Sequence, residues 1–165
     1  MDTLVTARLE LHPIRLNDAR RVLAGAPDGA RWAPGYPTQG DVFAARRFLE
    51  ACASVGDPQP FGNYEIRRRE DGHAIGGVGF HGPPDEDGKV TIGYGLVPTA
   101  QGNGYASEAL RGLIEFARSH GVTCVEGDTT HENTASQHVM AAVGMLLIAE
   151  DEQLKYYRIT LDDTL

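Results

Sequence analysis

The chain has 165 residues and a mass of 17.8 kDa, enough for a single domain over residues 1–165 with a sizeable core. Hydrophobic residues make up 41 % and the formal net charge is −8, which argues against nucleic acid or an anionic membrane surface as partner and suits a cationic substrate such as an amine. No apolar run is long enough to span a bilayer, the start MDTLVTARLELH lacks the features of a signal peptide, and Cys52 and Cys124 show no CxxC spacing, so a cytoplasmic protein with two buried free cysteines is predicted.

Residues 4–11, LVTARLEL, read as a first strand. Asn17 is placed to cap a short helix running to about Ala24, with Asp18 in its first turn. Residues 25–38 carry six Gly and Pro residues and form a loop holding Trp32 and Tyr36. Aromatics in such a loop pin it to the core or line a pocket. A second helix is predicted over about 41–54, turning Phe48 and Leu49 inward. FGNYEIRRR and HAIGGVGFH then flank Glu70-Asp71-Gly72, a hairpin signal. Gly77-Val78-Gly79-Phe80-His81-Gly82 matches GxGxxG in letters, but it lies in a strand and is followed by prolines, so it is no dinucleotide site. The histidines form no metal spacing, and no metal is expected.

The most informative stretch is KVTIGYGLVPTAQGNGYASEALRGLIEFARSHG, residues 89–121. It reads as a strand to about Val97, a stop at Pro98, a glycine loop, and an amphipathic helix from about Gly104 to Gly121. The first amides of a helix lack internal partners, the dipole is positive there, and glycines let an anion approach the backbone. A diphosphate would fit this end. Residues 122–129 read as a strand, Asn133 caps a helix over 134–143 ended by Gly144, and MLLIAED with LKYYRITL close the chain as a strand pair.

The stretch around Gln101, Gly104 and Ala106 resembles the acyl-CoA site of the GNAT N-acetyltransferase superfamily, whose signature is Gln/Arg-x-x-Gly-x-Gly/Ala. The element order also resembles the GNAT fold over nearly the whole chain. The resemblance implies a mixed α/β (α+β) fold: a central, mostly antiparallel, twisted sheet of six to seven strands flanked by about four helices. It implies acetyl-CoA as cosubstrate, held by Leu96, Val97, Gln101, Gly102, Asn103, Gly104, Tyr105, Ala106 and Asn133. It implies a bulge in the central strand, permitted by Gly93 and Gly95, with backbone amides near Leu96 and Val97 for the pantetheine arm and the oxyanion. Since CoA is anionic and the chain acidic, such a site draws on backbone donors and on Arg111 or Lys89.

Transfer to an amine needs alignment, an oxyanion donor and a proton acceptor. An α-amine titrates near ~8, so it needs less help than a lysine amine near ~10.4. Asp128 is the candidate base, at a position where some protein-acetylating members of the family carry a glutamate. Many members place a thiolate-protonating Tyr where Met140 stands here, and Met140 cannot donate. The ribosomal-protein-alanine N-acetyltransferase branch, which RLELHPIRLNDA, FHG and IGYGL resemble, offers a Ser at the position of Ser136. Trp32, Tyr36, His81 and Tyr94 complete the candidate acceptor pocket. These residues imply acetyl transfer from acetyl-CoA to a primary amine, with a protein or peptide N-terminus favoured, by direct attack in a ternary complex. A small-molecule acceptor such as an antibiotic or polyamine, a different acyl group such as succinyl, a non-catalytic CoA-binding module, and either a monomer or a homodimer remain compatible with the same residues.

Overall fold

A computed structural model describes residues 3–161. The expected 1–165 domain also takes in residues 1–2 and 162–165, which lie outside the described residues. The elements run β1 (Leu4–Val5), β2 (Leu9–Pro13), α1 (Leu16–Ala24), α2 (Gln39–Ser54), β3 (Asn63–Arg68), β4 (Ala74–Phe80), β5 (Lys89–Leu96), α3 (Tyr105–Ser119), β6 (Cys124–Thr130), α4 (Thr134–Ala142), β7 (Leu146–Glu150) and β8 (Leu154–Thr160). A 3-10 turn, Pro98–Ala100, separates β5 from the glycine loop. The described strands form one eight-stranded sheet, ordered β1-β2-β3-β4-β5-β6-β8-β7. Every neighbouring pair is antiparallel except β5–β6.

The eighth strand comes from residues 4–11, expected as one strand. The chain instead turns at Thr6, whose amide donates to the Leu9 carbonyl at 2.9 Å, and β1 folds back on β2 with Leu4 opposite Leu11. Glu108 on α3 fixes this turn by accepting from the Thr6 hydroxyl and from the Arg8 amide.

Two helix starts also differ from expectation, for one reason. Asn17 does not cap α1; Arg15 does, because Asp18 in the third helical position reaches back to accept from the Arg15 amide at 2.9 Å. In α2 the Thr38 hydroxyl accepts from the Asp41 amide at 3.2 Å, and Asp41 Oδ2 accepts from the Thr38 amide at 2.9 Å. This reciprocal box starts α2 at Gln39 and fixes the Asp41 carboxylate at its N-terminal end.

The helices pack on opposite faces of the sheet. The Asp41 carboxylate of α2 lies over Gly77, whereas Met140 of α4 lies over Gly127 and Phe116 of α3 meets Phe80 with ring centroids 6.3 Å apart. Between the layers the core gathers Leu9, Leu11, Ile66, Ile75, Leu110, Leu113 and Val125, all fully buried. Phe48 is buried as expected and Leu49 half-buried. Cys52 and Cys124 are free but only half-buried, so neither is the fully buried core residue that was expected.

Asp18 ties α1 to the sheet. Its carboxylate meets the His12 imidazole at 3.0 Å and Arg21 at 2.8 Å. Burial alone would raise its pKa, but the bonds from His12 and the Arg15 amide and the Arg21 charge override it and hold it at about 2, against an ordinary 3.8. The folded-state pKa is depressed, so the stabilisation is complete above the unfolded value and is lost as pH falls through the folded one. Asp18→Asn is expected to cost about 2 kcal/mol at pH 7, and its deficit to shrink between pH 3.8 and about 2. Urea titrations of both proteins across that range check this.

Candidate active site

The sheet opens at one place. β5 pairs with β6 in parallel only over Lys89–Thr91 against Cys124–Glu126. Beyond that point β5 follows β4 to Leu96, and β6 follows β8 to Thr130. The two strands diverge and leave a wedge-shaped gap. The bulge that was expected in β5 is absent: its register with β4 runs unbroken from Ile92–Phe80 to Leu96–Gly76. The opening comes from strand divergence instead.

That unbroken register decides which backbone groups face the gap. The His81 amide donates to Thr91 O, and the Val97 amide donates to Ile75 O, each at 2.8 Å. Antiparallel ladders alternate, so odd-numbered residues of β5 turn their groups toward β4 and even-numbered ones turn them away. The N–H groups of Tyr94 and Leu96 therefore point into the gap. Val97, expected beside Leu96 as a donor, is excluded: it is fully buried and its N–H is taken.

On the α3–α4 side, a cavity of about 370 Å3 is lined by Tyr94, Leu96, Gln101, Gly102, Gly104, Tyr105, Ala106, Asn133 and Ser136 among others. Gly102 and Gly104 hold φ of +82° and +80°, which favours glycine, and Gly104 caps α3. The first helical bond runs from the Glu108 amide to Gly104 O at 3.1 Å. Among the described residues, no protein carbonyl takes the amides of Gly102 to Ser107. Gln101 and Asn103 act from within the loop: Gln101 Nε2 donates to Leu96 O at 3.1 Å, and Asn103 Nδ2 donates to Ala100 O at 3.3 Å. Asn103 does not line the cavity.

The cation that supports this loop is Arg8, which sequence reasoning missed. Its guanidinium sits 4.5 Å from the Tyr105 ring centroid, donates to Asn103 O at 2.9 Å and pairs with Glu108 at 2.7 Å. Arg111 instead donates to Ala142 O, and Lys89 pairs with Glu126 at the closed end of the gap. The signal for Arg8 was the turn in residues 4–11, invisible while that segment read as one strand.

Asn133 caps α4 by accepting from the Ser136 amide at 3.0 Å. The Ser136 hydroxyl meets the Tyr94 hydroxyl at 2.6 Å, and the Tyr94 hydroxyl also donates to Ser136 O at 3.0 Å. The phenol thus crosses from β5 to α4. Burial lifts its pKa above the ordinary value, although the Ser136 bond opposes this. Met140 is 1 % exposed, packed against Gly127.

On the opposite face, under α1 and α2, lies a second cavity of about 250 Å3. It shares Tyr94 and Gly95 with the first. Its floor is a two-by-two block of glycines, Gly77 opposite Gly95 and Gly79 opposite Gly93. A Cβ at Gly77 would stand 2.6 Å from Asp41 Oδ1, and one at Gly93 would stand 3.0 Å from His81 Nε2. Over Gly95 there is nothing within 4 Å. Tyr36, His81 and Tyr94 line this cavity; Trp32 does not, and packs edge-on to Tyr36 with centroids 5.3 Å apart.

Asp41 and Glu65 were missed as cavity residues. Burial raises the Asp41 carboxyl, with Glu65 adding to the effect and the Thr38 bonds opposing it. Glu65 is 4 % exposed and accepts from Tyr36 and Arg67, each at 2.7 Å. Burial and these two carboxylates push the Tyr36 phenol far above its usual range. Burial pushes the His81 imidazole below its ordinary 6.5; the Arg47 charge acts the same way and Asp128 opposes it. Asp128 is exposed and lines none of these cavities, but parallel pairing puts it on the same face as Gly93.

Comparison with known proteins agrees with this geometry. A family model described as an acetyltransferase (GNAT) domain matches residues 8–146. The uncharacterized N-acetyltransferase p20 of Bacillus licheniformis is 30% identical over 139 residues, covering 82% of this chain and 78% of that protein. The ribosomal-protein-S5-alanine acetyltransferase from Vibrio fischeri superposes with a TM-score of 0.73, 15% identity, and coverage of 99% of this chain and 98% of its own. RimL, a ribosomal L7/L12 alpha-N-protein acetyltransferase solved with coenzyme A, gives 0.72 at 16% identity, covering 99% of this chain and all of its own.

Arg8 supplies both a cation and a strut to the glycine loop. Removing it is expected to weaken CoA binding about tenfold, as for loss of a charged hydrogen-bonding group. Calorimetric titration of Arg8→Ala with CoA checks this; an unchanged Kd would show that the loop amides act without it.

Proposed function

This chain belongs to the GNAT acetyltransferase family and is an acetyl-CoA-dependent N-acetyltransferase; from that premise we propose that its acceptor is the α-amine of a protein or peptide. The observation that carries the reading is the meeting of the two cavities at Tyr94 and Gly95. A thioester laid along the α3–α4 side ends at the gap, and an amine on the α2 side reaches its carbonyl carbon through it.

The steps follow from the groups present. The amine nitrogen attacks the carbonyl carbon, and negative charge moves to the carbonyl oxygen. The Leu96 or Tyr94 N–H donates to that oxygen. On collapse the C–S bond breaks, and the Tyr94 hydroxyl turns its single hydrogen from Ser136 O to the departing sulfur. Its raised pKa keeps the phenol protonated at working pH. Ser136 orients it. Tyr94 therefore takes the task that Met140 cannot perform. Across the reaction an ammonium gives up two protons, one ending on sulfur and one in solvent. His81, kept neutral and with Asp128 beside it, accepts the outgoing one. A weakly basic imidazole suffices for an α-amine near ~8 and serves a lysine amine near ~10.4 poorly, which supports an N-terminal acceptor.

Thiol release from acetyl-CoA, measured over peptides with free or blocked α-amines, lysine analogues and polyamines, tests the reading. Release with free α-amines is expected, and absence of release with every one of them overturns it. Tyr94→Phe should lower kcat about 100-fold while the Kd for acetyl-CoA stays within about twofold.

The acidic limb of the rate profile should report His81, whose pKa lies below 6.5, so activity falls as pH drops through it. Arg47→Ala, by removing a neighbouring positive charge, should move that limb to higher pH, and Asp128→Asn should move it lower. Initial rates in buffers of constant ionic strength decide the sign of both.

A further inference from the structure

Asp41 faces the transfer point from the α2 side. Its Oδ2 is held by Thr38, at 2.9 Å from the amide and 2.8 Å from the hydroxyl. Among the described residues its Oδ1 has no hydrogen-bond partner, and it hangs over the bare backbone of Gly77. Gly77 stands opposite Gly95 in a pair that exchanges both backbone bonds, so their Cα atoms are about 5.5 Å apart. Above Gly95 the space is empty to 4 Å. Between Oδ1 and the mouth of the gap there is thus room for one ammonium, which donates to a carboxylate over about 2.8 Å. Glu65 lies deeper and has both oxygens engaged, so it adds charge without offering a contact.

Resting on the acetyltransferase reading, we propose that Asp41 is the specificity-determining anchor of the acceptor, binding a primary aliphatic ammonium over the Gly77–Gly95 pair. The nitrogen then stands beside the thioester carbonyl with His81 Nε2 nearby, over Gly93, two residues along the same strand. Neutral nucleophiles gain nothing from this carboxylate. Its burial makes the point sharper, since a desolvated carboxylate near Glu65 is relieved by an incoming cation. Selection therefore favours amines that arrive charged and are deprotonated in place, over arylamines that arrive neutral.

The test compares steady-state kinetics of a free-α-amine peptide and an arylamine in wild type, Asp41→Asn and Gly95→Val. Asparagine keeps an acceptor oxygen for Thr38 and removes the charge. Asp41→Asn should raise the KM of the peptide about 100-fold, leave the KM of acetyl-CoA within about twofold, and abolish the preference for peptide over arylamine. Gly95→Val should block the peptide, and it leaves the Thr38–Asp41 box untouched. If wild type acetylates no amine, the underlying reading fails. If wild type is active but Asp41→Asn keeps both the peptide KM and the preference, the anchor alone is overturned. Should Asp41→Asn not fold, an unchanged peptide KM in Gly95→Val overturns the anchor equally.

Discussion

Everything in this site depends on how strand β5 spends its backbone hydrogen bonds. Along its β4 edge the ladder is complete from Thr91 to Val97. Along its β6 edge the ladder stops after Thr91. A sheet interior normally leaves no such edge, since buried polar backbone is satisfied almost everywhere. Here β6 keeps a full partner in β8, so the divergence exposes one side of β5 without loosening β6. The result is a short row of amides held rigidly by the strand's other edge and aimed at empty space, which is the geometry an oxyanion needs.

A gap in a sheet is useful only if both reactants can reach it. On the α3–α4 side the approach is made by the glycine loop and the first turn of α3. On the α2 side it is made by removing side chains: the four glycines at 77, 79, 93 and 95 flatten the sheet where a Cβ row would otherwise fill the space. The neighbours that lean in, Asp41 and His81, are polar and stand at the margins of that floor. Tyr94 joins the two sides. Its backbone faces the gap, while its hydroxyl fastens β5 to α4 through Ser136. A single residue thereby lines both cavities and ties the open edge of β5 to α4.

Much of this was written locally in the chain. The β3–β4 hairpin, the glycine loop before α3 and the Asn133 cap each depend on a few adjacent residues, and each appears as read. Where sequence reading went astray, contacts between distant residues had decided. The turn at Thr6 is set by Glu108, one hundred residues away in sequence. Arg8 became part of the loop only through that turn. The bulge inferred for β5 was a matter of register with β4 and β6, which glycine content does not determine. Asp41 illustrates the middle case: Thr-x-x-Asp is a legible helix start, but only the fold sets that start above Gly77. The Gly77–Gly79 spacing matches a nucleotide motif in letters only; its partners are Gly95 and Gly93 across the strands, which no local pattern reveals.

The acidity of the chain, awkward for a protein that binds an anionic cofactor, resolves once charges are placed. The carboxylate nearest the loop, Glu108, would repel a diphosphate if free. Burial works against its ionisation, but bonds from Thr6 and from the Arg8 amide and guanidinium keep it ionised and fully engaged. What the loop presents is then Arg8, the helix dipole and the vacant amides. On the other face, with the sheet between, Asp41 and Glu65 share a cavity with Arg47; Glu65 is paired with Arg67 at 2.7 Å, which leaves Asp41 Oδ1 as the open carboxylate oxygen there. On the proposed reading, the ammonium enters where Asp41 Oδ1 is open, and the diphosphate enters where Glu108 is neutralised by Arg8. Among the described residues the two cavities share Tyr94 and Gly95, so on that reading amine and thioester reach the same point from opposite sides. The net charge of −8 is summed over the whole chain, and what binds is governed by the few groups that face each cavity.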